Sequence, residues 1–302
     1  MTIKYLNNNE INRLKWDSCI QYSINRTVYA CSWYLDIVAE NWGALVYGDY
    51  ELVFPIVWKK FLFFKKVYHP LFCQQLGPFS SSKKLLNNEA ILLDLLKILD
   101  KRYRKFYFSI NSYSCIPLKN IIHDNKLSIN LLDRVNLELD LSLKYQQLYL
   151  NYNTNTKRNL KMGMNYDFVI QDLKELDLFM GLYKKNIGIK SNLKFSEYKI
   201  IESLIKYSIQ RKIGNLVGLY DGLGNLLASA FFLSYFDRNI LLFNFSNKSI
   251  KVNAMTILID QYIVDHSSQN KILDFEGSNM LNLKTFYKGF GAVENNYMYM
   301  IK

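Results

Sequence analysis

Two stretches of this chain share one pattern, a pair of β-rich runs that meet at a glycine-containing turn. The first is GALVYGDYELVFPIVW (43–58), which turns at Gly48 and Asp49, and the second is NLVGLYDGLGNLLASAFFL (215–233), which turns at 221–224. Apolar and aromatic runs on either side of such residues predict β-hairpins. Each is followed along the chain by a helical pattern and another strand, so the sequence predicts a repeated unit of mixed α and β structure.

Periodicity supplies the remaining predicted elements. The helices are predicted at Asn9–Cys19 with Asn9 as N-cap, 88–104, 144–163, 172–186, 195–212 with Ser196 as N-cap, 251–268 and 283–288. The further strands are predicted in a second, basic-aromatic hairpin after Ile56 and at 105–111, 135–142, 239–245, 271–275 and 295–301. This order predicts two similar α/β domains in tandem, 1–150 and 151–302, each with a mixed, mostly antiparallel sheet flanked by helices.

The composition limits the classes of protein to which this chain can belong. Half of the 302 residues are hydrophobic and 15% are aromatic, which is typical of a globular chain. We find no stretch of 18 uncharged apolar residues and no apolar segment in the first sixteen residues, so neither a transmembrane helix nor a signal peptide is expected, and the predicted location is cytoplasmic. The four cysteines and three histidines are scattered, which predicts reduced thiols and no metal site.

The formal charge of +12 favours an anionic partner: nucleic acid, acidic lipid or a phosphate-bearing substrate. A chain rich in Asn, Ile, Tyr and Lys also acquires such a charge from base composition alone. Lysine pairs alternate with Phe61, Phe63 and Phe64 in the second hairpin. This tip is consistent with contact with a membrane surface, with stacking on bases, or simply with a strand pair whose lysines are solvated.

Near the C-terminus the chain reads LDFEGSNMLNLKTFYKGFGA (273–292). The preceding order of hairpin, strand, helix, strand, helix and last strand resembles the core of the GNAT acyltransferase fold. The resemblance implies that the fourth and fifth strands, here 239–245 and 271–275, splay apart and expose backbone groups beside the acyl carbonyl of a donor. Duplicated GNAT domains are the hallmark of the Fem-type aminoacyl transferases, which attach amino acids from aminoacyl-tRNA to cell-wall precursors.

Three stretches resemble Fem-like chains: SWYLDIVAENWGALVYGDYELVFPI (32–56), TNTKRNLKMG (154–163) and the C-terminal stretch, which looks like a "DFEGS…FYxxFGA" signature. The resemblance implies an acyl or aminoacyl transferase with a small-molecule or cell-envelope amine as acceptor. The donor stays open between acyl-CoA and aminoacyl-tRNA, so tRNA is a candidate partner.

Acyl transfer needs a nucleophilic amine, a stabilised oxyanion and a protonated leaving group. Glu276 follows a strand, where its carboxylate can accept the acceptor's proton, orient the acceptor, or cap the next helix. Asp274 shares a face with Glu276, so one of the two can be structural. By analogy with Fem-type enzymes, Lys288 neutralises charge on the donor ester or on a phosphate. Glu276 and Lys288 are therefore the predicted catalytic residues.

Substrate-binding residues are predicted in both halves. A basic group on the helix at 154–163 suits phosphate recognition, with a solvated helix face as the alternative. Aromatic residues near the C-terminus either stack on a ring or pack in the core, and polar residues of the first half border an acceptor groove or, for the two glutamines, satisfy buried backbone. These residues are Arg158, Lys157 and Lys161; Phe286, Tyr287 and Phe290; and Tyr34, Asp36, Trp42, Gln74 and Gln75.

The stretch SIKVNA (249–254) stands where GNAT enzymes carry R/Q-x-x-G-x-G/A, whose backbone amides bind the pyrophosphate of acetyl-CoA. Val252 replaces the first glycine of that motif, and a branched side chain hinders close approach of a phosphate. The departure shifts weight toward a donor other than CoA. The predicted cofactor-binding residues are Lys248, Lys251, Asn253 and Ala254.

The sequence therefore predicts an acyltransferase that forms an amide on an amine acceptor, with a phosphate-bearing amine as one candidate. The alternative from another class is a catalytically inert GNAT-like module that binds a phosphate-bearing ligand. A third hypothesis is a membrane-surface protein that uses the tip at Phe61–Lys66.

Overall fold

The computed structural model describes residues 2–247, 252–276 and 279–302, which form two compact units. One unit comprises Met1–Val135 with Asn296–Lys302, and the other comprises Asn136–Asn295. The strands within the described residues are β1 Ile3–Asn7, β2 Asn41–Tyr47, β3 Leu52–Phe61, β4 Phe64–Val67, β5 Tyr107–Ile110, β6 Asn130–Asp140, β7 Val169–Asp172, β8 Gly214–Tyr220, β9 Leu226–Tyr235, β10 Arg238–Ser246, β11 Ile272–Asp274 and β12 Val293–Ile301. The α-helices there are α1 Arg13–Tyr22, α2 Ser32–Val38, α3 Lys83–Leu86, α4 Glu89–Arg102, α5 Ser112–Asp124, α6 Tyr145–Leu150, α7 Thr154–Gly163, α8 Leu176–Tyr183, α9 Ile189–Ser191, α10 Phe195–Gln210, α11 Ala254–His266 and α12 Leu281–Lys288.

In the first unit, β1, β2, β3 and β4 form an antiparallel sheet in that order, and β5 pairs antiparallel with β12. The predicted hairpin is confirmed, because Tyr47 pairs with Leu52 and Gly48 adopts a φ of 60° in the turn. The apolar faces of α4 and α5 bury leucine and isoleucine side chains against Phe54 and Phe108.

In the second unit the strand order is β6, β11, β10, β9, β8, β7. Neighbours are antiparallel except β10 and β11, which are parallel because α11 connects them. Its core includes Phe232, Leu258, Phe275 and Phe290, with Tyr262 stacked on Phe232 at a centroid distance of 3.6 Å.

The two halves of the sequence repeat one order of elements, and the predicted mixed α/β fold class is confirmed. The last strand of each repeat joins the other repeat's unit. The end of β6 pairs with β11 in the second unit, and the end of β12 pairs with β5 in the first. The chain therefore passes from the first unit to the second between residues 135 and 136, rather than after residue 150, and it returns to the first unit between residues 295 and 296.

Several predicted boundaries need correction. Helix α1 begins at Arg13 because the Asn12 side chain accepts a hydrogen bond from the Lys15 amide, while Asn9 lies in a preceding 3₁₀ turn. Helix α10 begins at Phe195, so Ser196 lies inside it. The Glu197 carboxylate accepts from the Lys194 amide there.

Several of the observed elements were not predicted, including β1, α2, α3, α5 and β7. Helix α5 is capped by Asn111 and contains Pro117, a residue that usually signals the end of a helix. Strand β7 occupies residues that we had assigned partly to a helix. A π-helical turn, Lys184–Gly188, joins α8 to α9.

Candidate functional site at the divergence of two strands

Strands β10 and β11 pair over only three positions, from Arg238 opposite Ile272 to Ile240 opposite Asp274. Beyond that point β10 continues for six residues with a register irregularity near Leu241, whereas β11 has ended. The chain after β11 stays with β6, since the Phe275 amide donates to the Leu137 carbonyl at 3.0 Å. The two parallel strands thus diverge at their carboxyl ends.

Three polar side chains converge near this divergence: Asn244 of β10, Glu276 just after β11, and Tyr287 of α12. Tyr287 is buried and its ring stacks on Phe275 at 4.6 Å between centroids. The Asn244 side chain hydrogen-bonds the Tyr287 hydroxyl. Burial raises the pKa of Tyr287 to about 12, and the negative charge of Glu276 contributes to the rise. The phenol therefore stays protonated at neutral pH.

Glu276 adopts a left-handed backbone conformation with a φ of 43°. Its amide donates to Asp274 Oδ1 at 3.2 Å, which fixes the chain where it leaves the sheet. A non-glycine residue in this region carries backbone strain, and such residues are frequent at ligand sites. Glu276 is half-buried.

Asp274 belongs to a buried polar network. Arg238 Nη1 contacts Asp274 Oδ2 and Glu138 Oε1, both at 2.8 Å. The Asn136 amide donates to Asp274 Oδ1 at 2.8 Å, and the Asn295 amide donates to Glu138 Oε1 at the same distance. Burial raises the pKa of Asp274, Arg238 opposes the rise, and Glu138 adds to it. Of the two acidic residues that the sequence left open, Asp274 is thus tied into the sheet.

Lys288 Nζ pairs with Glu294 Oε1 at 2.5 Å, and Lys284 Nζ contacts the same oxygen at 2.8 Å. The Lys288 side chain is 47% exposed, one residue further along the helix than the buried Tyr287. The structure therefore places the second predicted catalytic residue in an exposed ion pair with Glu294.

The aromatic residues of α12 and of the turn after it differ in burial and in their partners. Phe290 is fully buried and contacts Tyr152, Phe275 and Phe286, so it is a core residue with no surface for a ligand. Phe286 is partly buried against the same core. Of the three aromatic residues predicted to bind substrate, Tyr287 alone carries a polar atom, and Asn244 interacts with it near the strand divergence.

The two glycines of the YKGFGA stretch allow close packing. A Cβ at Gly289 would lie 2.5 Å from Thr156 Oγ1, and a Cβ at Gly291, whose φ is 79°, would lie 2.8 Å from Asn151 Cβ. The Asn153 amide donates to the Gly289 carbonyl at 2.9 Å. These glycines therefore fix α12 against the start of α7.

The basic residues of α7 lie on its exposed side. Arg158 Nη2 donates to Asn155 Oδ1 at 2.8 Å, and Lys157 Nζ donates to the Leu150 carbonyl at 3.0 Å. Lys161 is exposed in the same helix. The three predicted phosphate-binding residues thus share one helix, which also contacts the beginning of α11.

At the beginning of α11, the Asn253 side chain accepts a hydrogen bond from the Thr256 amide at 3.4 Å, and the Asn253 amide donates to Asn159 Oδ1 at 3.4 Å. Val252 and Ala254 are buried. The amide of Asn253 is thus paired with a side chain of α7. The predicted residues Lys248 and Lys251 lie outside the described residues.

In the first unit, Asp36 and Trp42 lie together. Trp42 Nε1 donates to Asp36 Oδ1 at 2.8 Å, and Arg13 contacts the same oxygen at 3.2 Å. Both residues line a cleft of about 400 Å³, with Trp58 and Glu40. Tyr34 is fully buried and its hydroxyl donates to the Phe72 carbonyl, so it is a core residue.

Gln74 and Gln75 are buried, and the Gln75 amide donates to Gln74 Oε1 at 2.9 Å. Gln75 Oε1 accepts from the Ser112 amide at 3.1 Å. This hydrogen bond agrees with the alternative that we left open, in which the glutamines satisfy buried backbone.

Sequence reasoning missed Asn244 and the partners of Asp274. Asn244 is a polar residue within an apolar strand, and Asn136 and Glu138 alternate on one face of β6. Each is a recognisable signal, because a polar residue on a buried strand face needs a partner. The pairing of β6 with β11 was not predicted, so these residues were not assigned to Asp274.

Two further searches bear on ligands and partners. In the parts of the chain that the structure describes, no three His, Cys, Asp or Glu side chains converge as metal ligands. Among the described helices, none has both the length and the apolar character needed to span a bilayer.

Comparisons with known proteins identify the fold. No family model matches the sequence, and no curated protein matches it significantly. The structure is similar to that of FemX, with a TM-score of 0.69 at 11% identity over 99% of this chain and 97% of FemX. It is also similar to the C-terminal domain of a putative lysylphosphatidylglycerol synthetase from Agrobacterium fabrum, with a TM-score of 0.56 at 10% identity over 97% and 92% of the two chains. A tandem GNAT protein from the clavulanic acid biosynthesis pathway matches with a TM-score of 0.55 at 9% identity over 99% and 98%. The chain therefore has a Fem-like tandem GNAT fold.

Proposed function

We propose that this protein is an acyltransferase that moves an acyl or aminoacyl group to an amine acceptor, and that the reaction takes place where β10 and β11 diverge. The observation that carries the proposal is the buried Tyr287 phenol, held by Asn244 near Glu276 at that divergence. The similarity to FemX and to a tandem GNAT protein supports the fold in which such a gap forms.

In the proposed reaction, the acceptor amine loses a proton and attacks the carbonyl carbon of the donor, and the C–N bond forms as the bond to the leaving group breaks. Glu276, half-buried at the end of β11, accepts or orients the ammonium proton. The backbone of β10 beyond Ile240 has parted from β11, so its polar groups are candidates to bind the carbonyl oxygen.

Tyr287 supplies a proton or a strong hydrogen bond to the leaving group. With a pKa raised to about 12, its phenol matches an alkoxide, which is a strong base, better than a thiolate, whose conjugate acid has a pKa of roughly 8.5. The hydrogen bond from Asn244 would stabilise the phenolate after transfer. This match favours an ester donor, such as aminoacyl-tRNA, over a CoA thioester.

The beginning of α11 supports the same choice of donor. Val252, which is buried, stands in the sequence where GNAT enzymes carry the first glycine of their pyrophosphate-binding loop, and the next residue, Asn253, caps α11. The net charge of +12, the half-buried Lys157 and the exposed Arg158 and Lys161 are suited to a polyanion.

The alternative function, an inert module that binds a phosphate-bearing ligand, is favoured by one observation. Just before α11, the buried Val252 stands in place of the glycine that lets a donor phosphate approach the backbone. Such a module would bind its ligand through the basic face of α7 and form no product.

The test uses acetyl-CoA and tRNA charged with amino acids, each labelled in the transferred group, with a panel of peptide and amino-sugar amines. We expect the label to move from the tRNA ester to an amine, and tRNA binding to weaken as salt rises. Glu276→Gln should lower the rate by about 10² or more, against a Lys190→Gln control on the exposed surface of α9.

Lys288→Ala decides a separate question. A comparable loss would support the charge-neutralising role inferred from the Fem-type resemblance, and a retained rate would leave Lys288 as the partner of Glu294. Ligand binding without any transferred label would contradict the proposed acyltransferase activity and support the inert binding module.

A further inference from the structure

The tip of the hairpin between β3 and β4 presents three consecutive apolar side chains to solvent. Phe61 pairs with Phe64, so Leu62 and Phe63 form the two-residue turn. Leu62 is 78% exposed, Phe63 is 104% exposed and Phe64 is 56% exposed. Exposed apolar residues are ordinary when single, but a contiguous group of this kind marks an interaction site.

The backbone conformation of the turn adds strain to these exposed apolar residues. Leu62 has a φ of 53°, the left-handed region that glycine and asparagine adopt most easily and that two-residue hairpin turns usually assign to them. A leucine at this position is strained as well as exposed. Neither folding nor solubility accounts for it, so the apolar character of the tip points to a partner.

A cationic pocket of about 780 Å³ begins at the same hairpin. Among the described residues that line it, five are cationic and two are aromatic: Phe64, Lys65, Lys66, Arg102, Tyr103, Arg104 and Lys105. The apolar tip is therefore continuous in sequence, through Phe64 and Lys65, with a strongly positive surface.

Two of these cations are held by aromatic rings. Lys65 Nζ lies 3.8 Å from the ring centroid of Trp58, and Arg102 Cζ lies 3.6 Å from that of Tyr5. Desolvation lowers the pKa of Lys65, and repulsion from Arg102 and Lys60 lowers it further. A cation–π contact holds the side chain but does not cancel its charge, so the pocket retains a positive field.

We propose that the hairpin tip and the adjacent cationic pocket bind the surface of a bilayer that contains anionic lipid. Leu62 and Phe63 enter the boundary between headgroups and acyl chains, while the lysine and arginine side chains contact lipid phosphates. An apolar tip flanked by basic residues has the composition of interfacial anchors. RNA accounts less well for the tip, because a leucine offers no ring on which a base can stack. The inference is independent of the proposed acyl transfer.

The test measures co-sedimentation of the full chain with vesicles of phosphatidylcholine alone and of phosphatidylcholine with phosphatidylglycerol. We expect binding only to the anionic vesicles, and weaker binding at high salt. Phe63→Ser should weaken binding by about tenfold or more, since it removes a large apolar side chain from the interface. The matched control is Leu223→Ser, which changes a residue that is 90% exposed in the turn after β8.

A second pair of variants tests the charges. Lys65→Gln combined with Arg104→Gln should weaken binding by roughly tenfold or more, because each basic residue near an anionic surface contributes about fivefold. Lys190→Gln combined with Lys199→Gln removes the same charge from exposed positions of the second unit and should have little effect.

Three results would overturn the proposal. One is that the wild-type chain fails to bind the anionic vesicles. Another is that Phe63→Ser binds them as tightly as Leu223→Ser does, while melting curves show that both variants are folded. The third is that the vesicles do not bind while an RNA oligonucleotide binds through Lys65 and Arg104, which would assign the pocket to nucleic acid.

Discussion

The two units hold their cations in opposite ways. In the second unit, Arg238 lies inside the sheet between the carboxylates of Asp274 and Glu138, and each contact is 2.8 Å. In the first unit, Lys65 and Arg102 lie on aromatic rings beside an open pocket of about 780 Å³. A cation between two buried carboxylates organises a structure, whereas cations on a pocket wall remain available to an anionic ligand.

The contrast arises although both halves repeat one order of elements. Strand β4 spans four residues after the apolar turn of Leu62 and Phe63, whereas β10, its counterpart in the repeat, spans nine and pairs partly with β11. The shared order specifies the fold, while strand length and a few polar residues decide which unit offers a gap between strands and which offers a charged surface.

The largest expected effect tests the buried side of this comparison. Asp274→Ala leaves Arg238 facing only one of its two carboxylates and removes the nearer of the two carboxylate acceptors of the Asn136 amide, so we expect a loss of about 3–5 kcal/mol in the free energy of unfolding, measured with urea. Glu294→Ala removes an exposed pair that solvent screens, so it should cost far less stability. Equal losses in the two variants would contradict the distinction between buried and exposed pairs.

The next effect concerns a titratable group of the first unit. Burial lowers the pKa of His69 from 6.5 to about 3, and its Nδ1 lies 3.3 Å from Ser109 Oγ. The unfolded chain binds a proton below pH 6.5 that the folded chain binds only near pH 3, so His69 lowers stability as the pH falls through this window.

The expected loss from His69 is about 2 kcal/mol at roughly pH 5, relative to neutral pH. His69→Gln should remove that part of the pH dependence in urea titrations. His123→Gln, at an exposed position, is the control and should retain it. A wild-type stability that does not change between neutral pH and pH 5 would contradict the burial of the His69 ring.

A smaller effect separates backbone strain from crowding in the second unit. Gly291 and Gly224 have similar φ values of 79° and 82°, but a Cβ at Gly291 would meet Asn151 at 2.8 Å and one at Gly224 would meet nothing within 4 Å. Both substitutions to alanine carry the left-handed cost of about 1 kcal/mol.

Gly291→Ala should therefore lose more stability than Gly224→Ala, by roughly 1–3 kcal/mol, because only the former overpacks a close contact. Thermal unfolding of the two variants measures the difference. Equal losses would mean that α12 has room to move away from the α6–α7 loop.

The smallest effect tests the exposed side of the comparison. Leu62→Asn places a residue that favours a positive φ in the hairpin turn, so we expect the unfolding free energy to rise by a few tenths of a kcal/mol, up to about 1 kcal/mol. The same variant should bind anionic vesicles less tightly. A rise in stability with unchanged vesicle binding would mean that the tip has no role at a bilayer.

The sequence predicted the order of elements well because hairpins and amphipathic helices are local patterns. Helix α11 and strand β11 were found from periodicity and from β-rich composition, whereas α5 was missed because Pro117 interrupts its pattern. The exchange of β6 and β12 between units was not predictable, since strand partners many residues apart leave no local signal.

The same limit applies to the site. Glu276 and Tyr287 were predicted from the C-terminal stretch, and the structure brings them into electrostatic contact. The roles of Asn244 and Arg238 depend on which strands are neighbours, so the sequence alone did not reveal them. The burial of Tyr34 and Phe290 likewise became evident only from packing.

The most direct test of the proposed site compares two buried tyrosines of the second unit. Tyr287 and Tyr183 each have a pKa raised to about 12 by burial, and Tyr183 packs against Phe243 of β10, but only the pKa of Tyr287 responds to Asn244 and Glu276. Rates of label transfer from the donor to an amine are measured for Tyr287→Phe and Tyr183→Phe. The account predicts a loss of about 10² or more for Tyr287→Phe and a change of at most a few-fold for Tyr183→Phe. A folded Tyr287→Phe variant that transfers the label at the wild-type rate would contradict it.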